Sequence, residues 1–213
     1  MRAWVIGNGP SLKQTPIDLL RKEITFGVNT IHLIYPLTTW RPTHYVRAEQ
    51  AFGLEPEHWL ESMQVHLDLG CEIYCNDYFF RPRFGLKATD KVHYIKACAH
   101  YAKHFNNPDI PHLWHLPILC TFGSSVNVAI QIAHKLGYSP IYLVGCDLGY
   151  EDGKPSHFDD SYEHGREQEA RYANLDTLAA HMIASRSGAE IVNATVGGSL
   201  EVYPRMDIES LFT

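Results

Sequence analysis

Apolar and polar positions along the chain group into short runs that alternate between two periods. Compact apolar runs read as buried strands over Ala3–Gly7, Ile24–Asn29, His44–Glu49, Glu72–Asn76, Pro140–Asp147 and Glu190–Thr195. Stretches with helical spacing fall between them, over Glu55–Asp68, Lys91–Phe105, Ser124–Leu136 and Arg166–Ser187. Strand and helix in turn predict an α/β, Rossmann-like, doubly wound and mostly parallel sheet with helices on both faces. No Pro-, Gly- or Ser-rich linker divides the chain, so residues 1–213 read as a single domain. The polar and aromatic stretches 77–90 and 148–164 read as long loops.

Polar residues recur at the carboxyl ends of the predicted strands: Asn8, Asn29, Glu49, Asn76, Asp147 and Asn193. Doubly wound sheets bind ligands beyond those ends. Asn and Asp also serve as turn and capping residues, so the pattern admits both readings.

Composition narrows the partners. The chain is 45% hydrophobic with a formal net charge of -6 and no Lys/Arg block, which argues against an extended nucleic-acid backbone. No apolar run reaches the roughly 18 residues of a membrane span, and the N-terminus lacks signal-peptide character. Five cysteines without a Cys-x-x-Cys pair fit reduced thiols, and the expectation is a cytoplasmic protein.

Two blocks carry candidate chemistry. In "VIGNGPSL", Gly7 and Gly9 permit a tight turn and close backbone approach to a ligand. Pro10 suits a first helical turn, and Ser11 can cap it or donate to a phosphate. With Leu12 where a third glycine would stand and Asn29 ending the second strand, this is not a dinucleotide fingerprint, and Gly153-Lys154-Pro155 is not a phosphate-cradling P-loop. In the second block, "TFGSSVNVAIQIAHKLGYSPIYLVGCDLGYEDG", Ser124 and Ser125 open a helix and offer a second anion contact. The strand that follows delivers Asp147 to the ligand edge.

The segments "GNGPSL", "FGVNT", "GSSVNVAIQIAHKLGYSPIYLVGCDLGY" and "EIVNATVGGSLEVYPR" resemble the domain of unknown function 115. That group includes archaeal 6-hydroxymethyl-dihydropterin diphosphokinase-like proteins. The same order of motifs is similar to that of the bacterial sialyltransferases of glycosyltransferase family 42. This second likeness implies a nucleotide-dependent transferase using a nucleotide-activated sugar such as a CMP-sugar, with a carbohydrate acceptor. It would place Asn8, Gly9 and Asn29 on nucleotide and phosphate, Ser125 on the donor, Asp147 on ribose or base, and Tyr150 on the leaving phosphate. Those enzymes carry a histidine where "RYANLD" places Arg171. The diphosphokinase likeness implies ATP and magnesium instead, with carboxylates from Asp147, Glu151, Asp152, Asp159 and Asp160. A third reading is a non-catalytic nucleotide-sugar binding protein.

The polar stretch between the Asp147 strand and the last long helix reads as a flap at about 148–165. It carries two candidate bases. His157 lies beside Phe158, a hydrophobic anchor, and next to Asp159 and Asp160, while His164 precedes Gly165 at an expected helix start. His93, His100 and His104 would share a helix face, where partly exposed histidines, or contact with a partner subunit in a homo-oligomer, are better expectations than zinc. His112 and His115 carry no specific signal.

Overall fold

The computed structural model describes residues 1–48, 56–77, 90–95, 97–98, 119–120, 124–149, 156–159, 161 and 170–213. Its strands are β1 (Ala3–Ile6), β2 (Thr25–Val28), β3 (His44–Arg47), β4 (Glu72–Asn76), β5 (Val92–Ile95), β6 (Ala97–Cys98), β7 (Leu119–Cys120), β8 (Ile141–Val144) and β9 (Ile191–Asn193). The helices are α1 (Pro56–Asp68), α2 (Ser125–Lys135) and α3 (Ala170–Ser185). Seven strands form one parallel sheet in the order β5-β4-β3-β2-β1-β8-β9, and β6 pairs with β7 in a second, two-stranded sheet. Strand order reverses between β1 and β8, so the ends of those two strands flank the switch point.

Side chains on successive strand positions leave opposite faces of the sheet, and the core divides accordingly. Trp4 and Ile6 pack on one face with Leu12, Trp40, Tyr45 and Ile73. Ala3 and Val5 pack on the other with Phe26, Val46, Val128 and Ile132. The second face is covered by α2, whose N-cap Ser124 accepts from the Val126 amide and whose apolar stripe ends ahead of Gly137 at φ +84°.

The six expected strands and three of the four expected helices are present, with ends shifted by a few residues. The helix expected over Lys91–Phe105 is overturned where it is described, because β5 and β6 occupy 92–95 and 97–98. Pairing with β4 supplies hydrogen bonds that a surface helix here would have to find within itself. His93 therefore lies on a strand, stacked on Tyr74 with ring centroids 4.8 Å apart, and not on a helix face. His100, His104, His112 and His115 lie outside the described residues. A second departure follows β1. The expected helix there is two 3-10 segments, Pro10–Gln14 and Ile17–Lys22.

Candidate functional site

The crevice opens at the switch point. The turn after β1 and the turn after β8 interlock: Gly7 N–H donates to Val144 O at 2.8 Å and Gly9 N–H to Gly145 O at 2.8 Å. A Cβ on Gly9 would stand 1.9 Å from an Asp147 carboxylate oxygen and 2.9 Å from Gly145 O. Whatever Gly9 does for a ligand, its bare Cα first makes room for Asp147.

Asp147 faces inward across this junction. One carboxylate oxygen accepts from the Ser11 amide at 3.1 Å and the other from the Ser11 hydroxyl at 2.8 Å. The first turn after Pro10 is thus met by the protein's own carboxylate. Burial pushes the Asp147 pKa up, and the two Ser11 bonds pull against that shift. Two further contacts fix its backbone. Ser199 N–H donates to Asp147 O at 2.7 Å, and Cys146 N–H donates to the Thr195 hydroxyl at 3.1 Å.

Asparagine can keep both Ser11 bonds, with its carbonyl toward the amide and its amide toward the hydroxyl, while removing a partly buried charge. Asp147→Asn is therefore expected to match the parent's stability at pH 7 within about 1 kcal/mol, as measured by urea unfolding. A loss well beyond that means the charge itself holds the two turns together.

The polar residues at the strand ends divide by what they touch. Asn8 Nδ2 donates to Val28 O at 2.9 Å, Asn76 Nδ2 to Ala48 O at 3.0 Å, and Asn193 Nδ2 to Leu200 O at 2.7 Å. These amides stitch neighbouring segments at the carboxyl edge, and Asn8 also lines the crevice. Asn29 adopts φ +52°, a left-handed conformation that asparagine tolerates better than most residues. Its carbonyl accepts from Tyr45 Oη at 2.7 Å and from Ser62 Oγ at 3.1 Å. Glu49 lies outside the described residues.

Gly7, Asn8, Gly9, Pro10, Asn29, Ser124 and Asp147 all line the opening. Ser11 and Ser125 are buried just behind it, Ser125 Oγ accepting from Ala48 N–H at 3.3 Å. His157 also reaches the crevice. Its neighbour Phe158 is 1% exposed within the core, and the Phe158 amide donates to Asn8 O at 2.9 Å, so this piece of the 148–165 stretch is tied to the turn after β1. Asp159 turns away toward Ser161, whose amide and hydroxyl hold its carboxylate below the usual range. Tyr150, His164, Glu151, Asp152 and Asp160 lie outside the described residues, as does the side chain of Arg171. Among the described residues no group of three or more His, Cys, Asp or Glu side chains is placed to hold a metal ion.

Sequence reasoning missed one wall of the crevice. Thr177 and His181 of α3 line it, and His181 is 2% exposed with Nδ1 2.9 Å from the Tyr203 hydroxyl. A lone histidine inside a helical run gave no signal. Its partner is 22 positions away in the closing "EVYPR" segment.

The MAf glycosyltransferase from Magnetospirillum magneticum AMB-1 superposes with a TM-score of 0.63 at 19% sequence identity, over 98% of this chain and 34% of that one. The two share a fold. The chain thus spans about a third of the length of that glycosyltransferase. No protein-family model matches the chain, and no curated protein sequence matches it. No described helix is long and apolar enough to cross a membrane.

Proposed function

We propose that the chain is a glycosyltransferase-like enzyme that binds a nucleotide-activated sugar, such as a CMP-sugar, in the switch-point crevice and transfers the sugar to a carbohydrate acceptor. The observation that carries this reading is convergence. Residues following β1, β2 and β8, the start of α2 and His157 all meet at one opening. The crevice beyond the carboxyl ends of a doubly wound sheet is the general ligand position of such folds. A fold shared with a glycosyltransferase, and a motif order similar to that of family 42 sialyltransferases, favour a sugar donor.

The chemistry asks for two things. A base takes the proton of the acceptor hydroxyl as its oxygen bonds to the anomeric carbon. As the bond from that carbon to the phosphate oxygen breaks, donors stabilise the charge left on the departing nucleotide. His157, which lines the crevice, would act as the base. The stretch 148–165 would serve as a flap bringing Tyr150 and His164 to the same place, with Tyr150 directed to the leaving phosphate. Glycine backbone at 7 and 9 and the hydroxyls of Ser124 and Ser125 would accompany the nucleotide.

A thermal-shift series with CMP, CDP, UDP, GDP and ATP, each with magnesium and with chelator, tests the assignment. Saturating CMP at one hundred times its dissociation constant is expected to add about 2.7 kcal/mol, equal to a shift of about 5 to 10 °C for a chain of this size. The shift should be the same in chelator. Stabilisation by ATP alone, and only with magnesium, would replace this reading with a diphosphokinase. Binding of a CMP-sugar without turnover would leave a nucleotide-sugar binding protein. On a donor that turns over, His157→Ala is expected to lower kcat about a hundredfold or more, the usual effect of removing a positioned base. Full turnover in that variant would remove His157 from the chemistry.

A further inference from the structure

Tyr203 contacts both the ring and the backbone of His181. A tyrosine hydroxyl has one proton to give, and Tyr203 donates it to the His181 backbone carbonyl at 3.1 Å. With the proton on that carbonyl, the ring is the donor in the 2.9 Å contact between His181 Nδ1 and the Tyr203 oxygen. In that arrangement Nδ1 carries the proton and Nε2 the lone pair. Burial lowers the pKa of His181 to about 4, which keeps the ring uncharged at neutral pH. Nε2 has no hydrogen-bond partner among the described residues, and the residue forms part of the crevice wall. Nε2 is thereby the ring nitrogen left for a ligand, on a residue that lines the crevice.

We propose that His181 is a specificity-determining residue whose Nε2 accepts a hydrogen bond from a hydroxyl or amino group of the bound nucleotide, and that Tyr203 is the positioning residue that fixes which ring nitrogen does so. The inference rests on the nucleotide reading above and extends it to a contact. Recognition suits this ring better than proton transfer. A ring that stays neutral well into acid is a weak base, and charging it would bury a cation beside a hydroxyl that already spends its own proton elsewhere. The ligand chemistry required is a hydrogen-bond donor, and its two sources in a cytidine nucleotide are the 4-amino group and the ribose hydroxyls.

Nitrogen-15 NMR of histidine-labelled protein tests the first step without any ligand. In the free protein at pH 7, His181 is expected to show a protonated Nδ1 and an unprotonated Nε2. A ring protonated at Nε2, or at both nitrogens, overturns the inference. CMP and ribose 5-phosphate are then added separately, with binding followed by calorimetry. An Nε2 resonance that moves with CMP alone identifies the amino group of the base, and one that moves with both identifies the sugar. CMP that binds while Nε2 stays unchanged overturns the role of His181 and leaves the nucleotide reading standing. CMP that does not bind at all overturns both. Among variants, His181→Phe is expected to weaken CMP about threefold to tenfold, the usual range for one hydrogen bond. His181→Gln, which can place an amide oxygen near the Nε2 position, should recover part of that loss. Tyr203→Phe frees Nδ1 and is expected to mix the two ring tautomers, with a similar loss of affinity. Folded His181→Phe with parental affinity rejects the contact, and if that variant does not fold, the spectra of the parent protein still decide.

Discussion

Gly145→Ala is expected to cost about 4 kcal/mol, equal to a fall in melting temperature of roughly 8 to 16 °C for a chain of this size. Two effects add at this position. The residue holds φ +64°, where an L side chain is strained. A Cβ would also stand 2.6 Å from Gly7 O and 3.1 Å from Gly7 C, and those are backbone atoms that cannot rotate away. Moving them disturbs the bond from Gly7 N–H to Val144 O and the bond from Gly9 N–H to Gly145 O, which together form the floor of the crevice. Gly137→Ala is the matched control. Gly137 holds φ +84° with nothing within 4 Å of the added Cβ, so only conformational strain remains, about 1 kcal/mol. Denaturant unfolding of both variants measures the difference. Equal losses would mean that close approach of the two turns contributes nothing, and that only backbone conformation requires glycine at the switch point.

That contrast marks how far a sequence can be read here. The G-N-G and V-G-C-D turns were legible as turns because glycine after an apolar run leaves few alternatives. Their mutual contact was not legible. The Ser11–Asp147 pair spans 136 positions and exists only because β8 inserts beside β1. The same limit governs the asparagines at the strand ends. Asn8, Asn76 and Asn193 give one local signal whether the side chain faces a ligand or bridges to the next segment, and the hydrogen bonds to Val28, Ala48 and Leu200 carbonyls separate the two. Strand β5 was missed for a related reason. Only Val92 of its four residues is buried, so it shows no continuous apolar run, and pairing with β4 fixes its conformation. Central strands such as β1 and β8, buried at every position, were legible from local pattern alone.

The buried histidines lead to the second large effect, on stability in acid. His66 is sealed between α1 and the sheet, stacked on Tyr45 at 3.7 Å. Its Nδ1 donates to Ser62 O at 2.6 Å and its Nε2 accepts from Tyr35 Oη at 2.7 Å, so both nitrogens are used by the neutral ring. Burial lowers its pKa to about 3, and that of His181 to about 4. The unfolded chain binds a proton on each near pH 6.5. A histidine whose folded pKa is depressed contributes stability above the unfolded value and loses it as pH falls toward the folded one. Between pH 7 and 4.5 the two rings together are expected to remove about 5 kcal/mol, at about 1.4 kcal/mol per pH unit for each ring once pH is below 6. His32 and His44, whose pKa values burial also lowers, act in the same direction. Asp147 opposes them, since its raised pKa favours the folded state as the carboxyl protonates. Asp18 and Glu23, held below the usual carboxylate range by hydrogen bonds from Thr39 and Arg2, begin to cost stability only below about pH 4.5, the ordinary range for free carboxylates. The window from pH 6 to 4.5 therefore belongs to the histidines. A loss of this size is comparable to the whole stability of many domains, about 5 to 15 kcal/mol, so the chain is expected to unfold near pH 4.5 without denaturant or with very little. Urea titrations at pH 7, 6, 5.5 and 5 measure the slope, which should correspond to an uptake of two or more protons on unfolding. A slope near zero across that range would mean that His66 and His181 take up protons in the folded state, and that the Tyr35–His66–Ser62 and Tyr203–His181 hydrogen bonds do not hold their rings neutral.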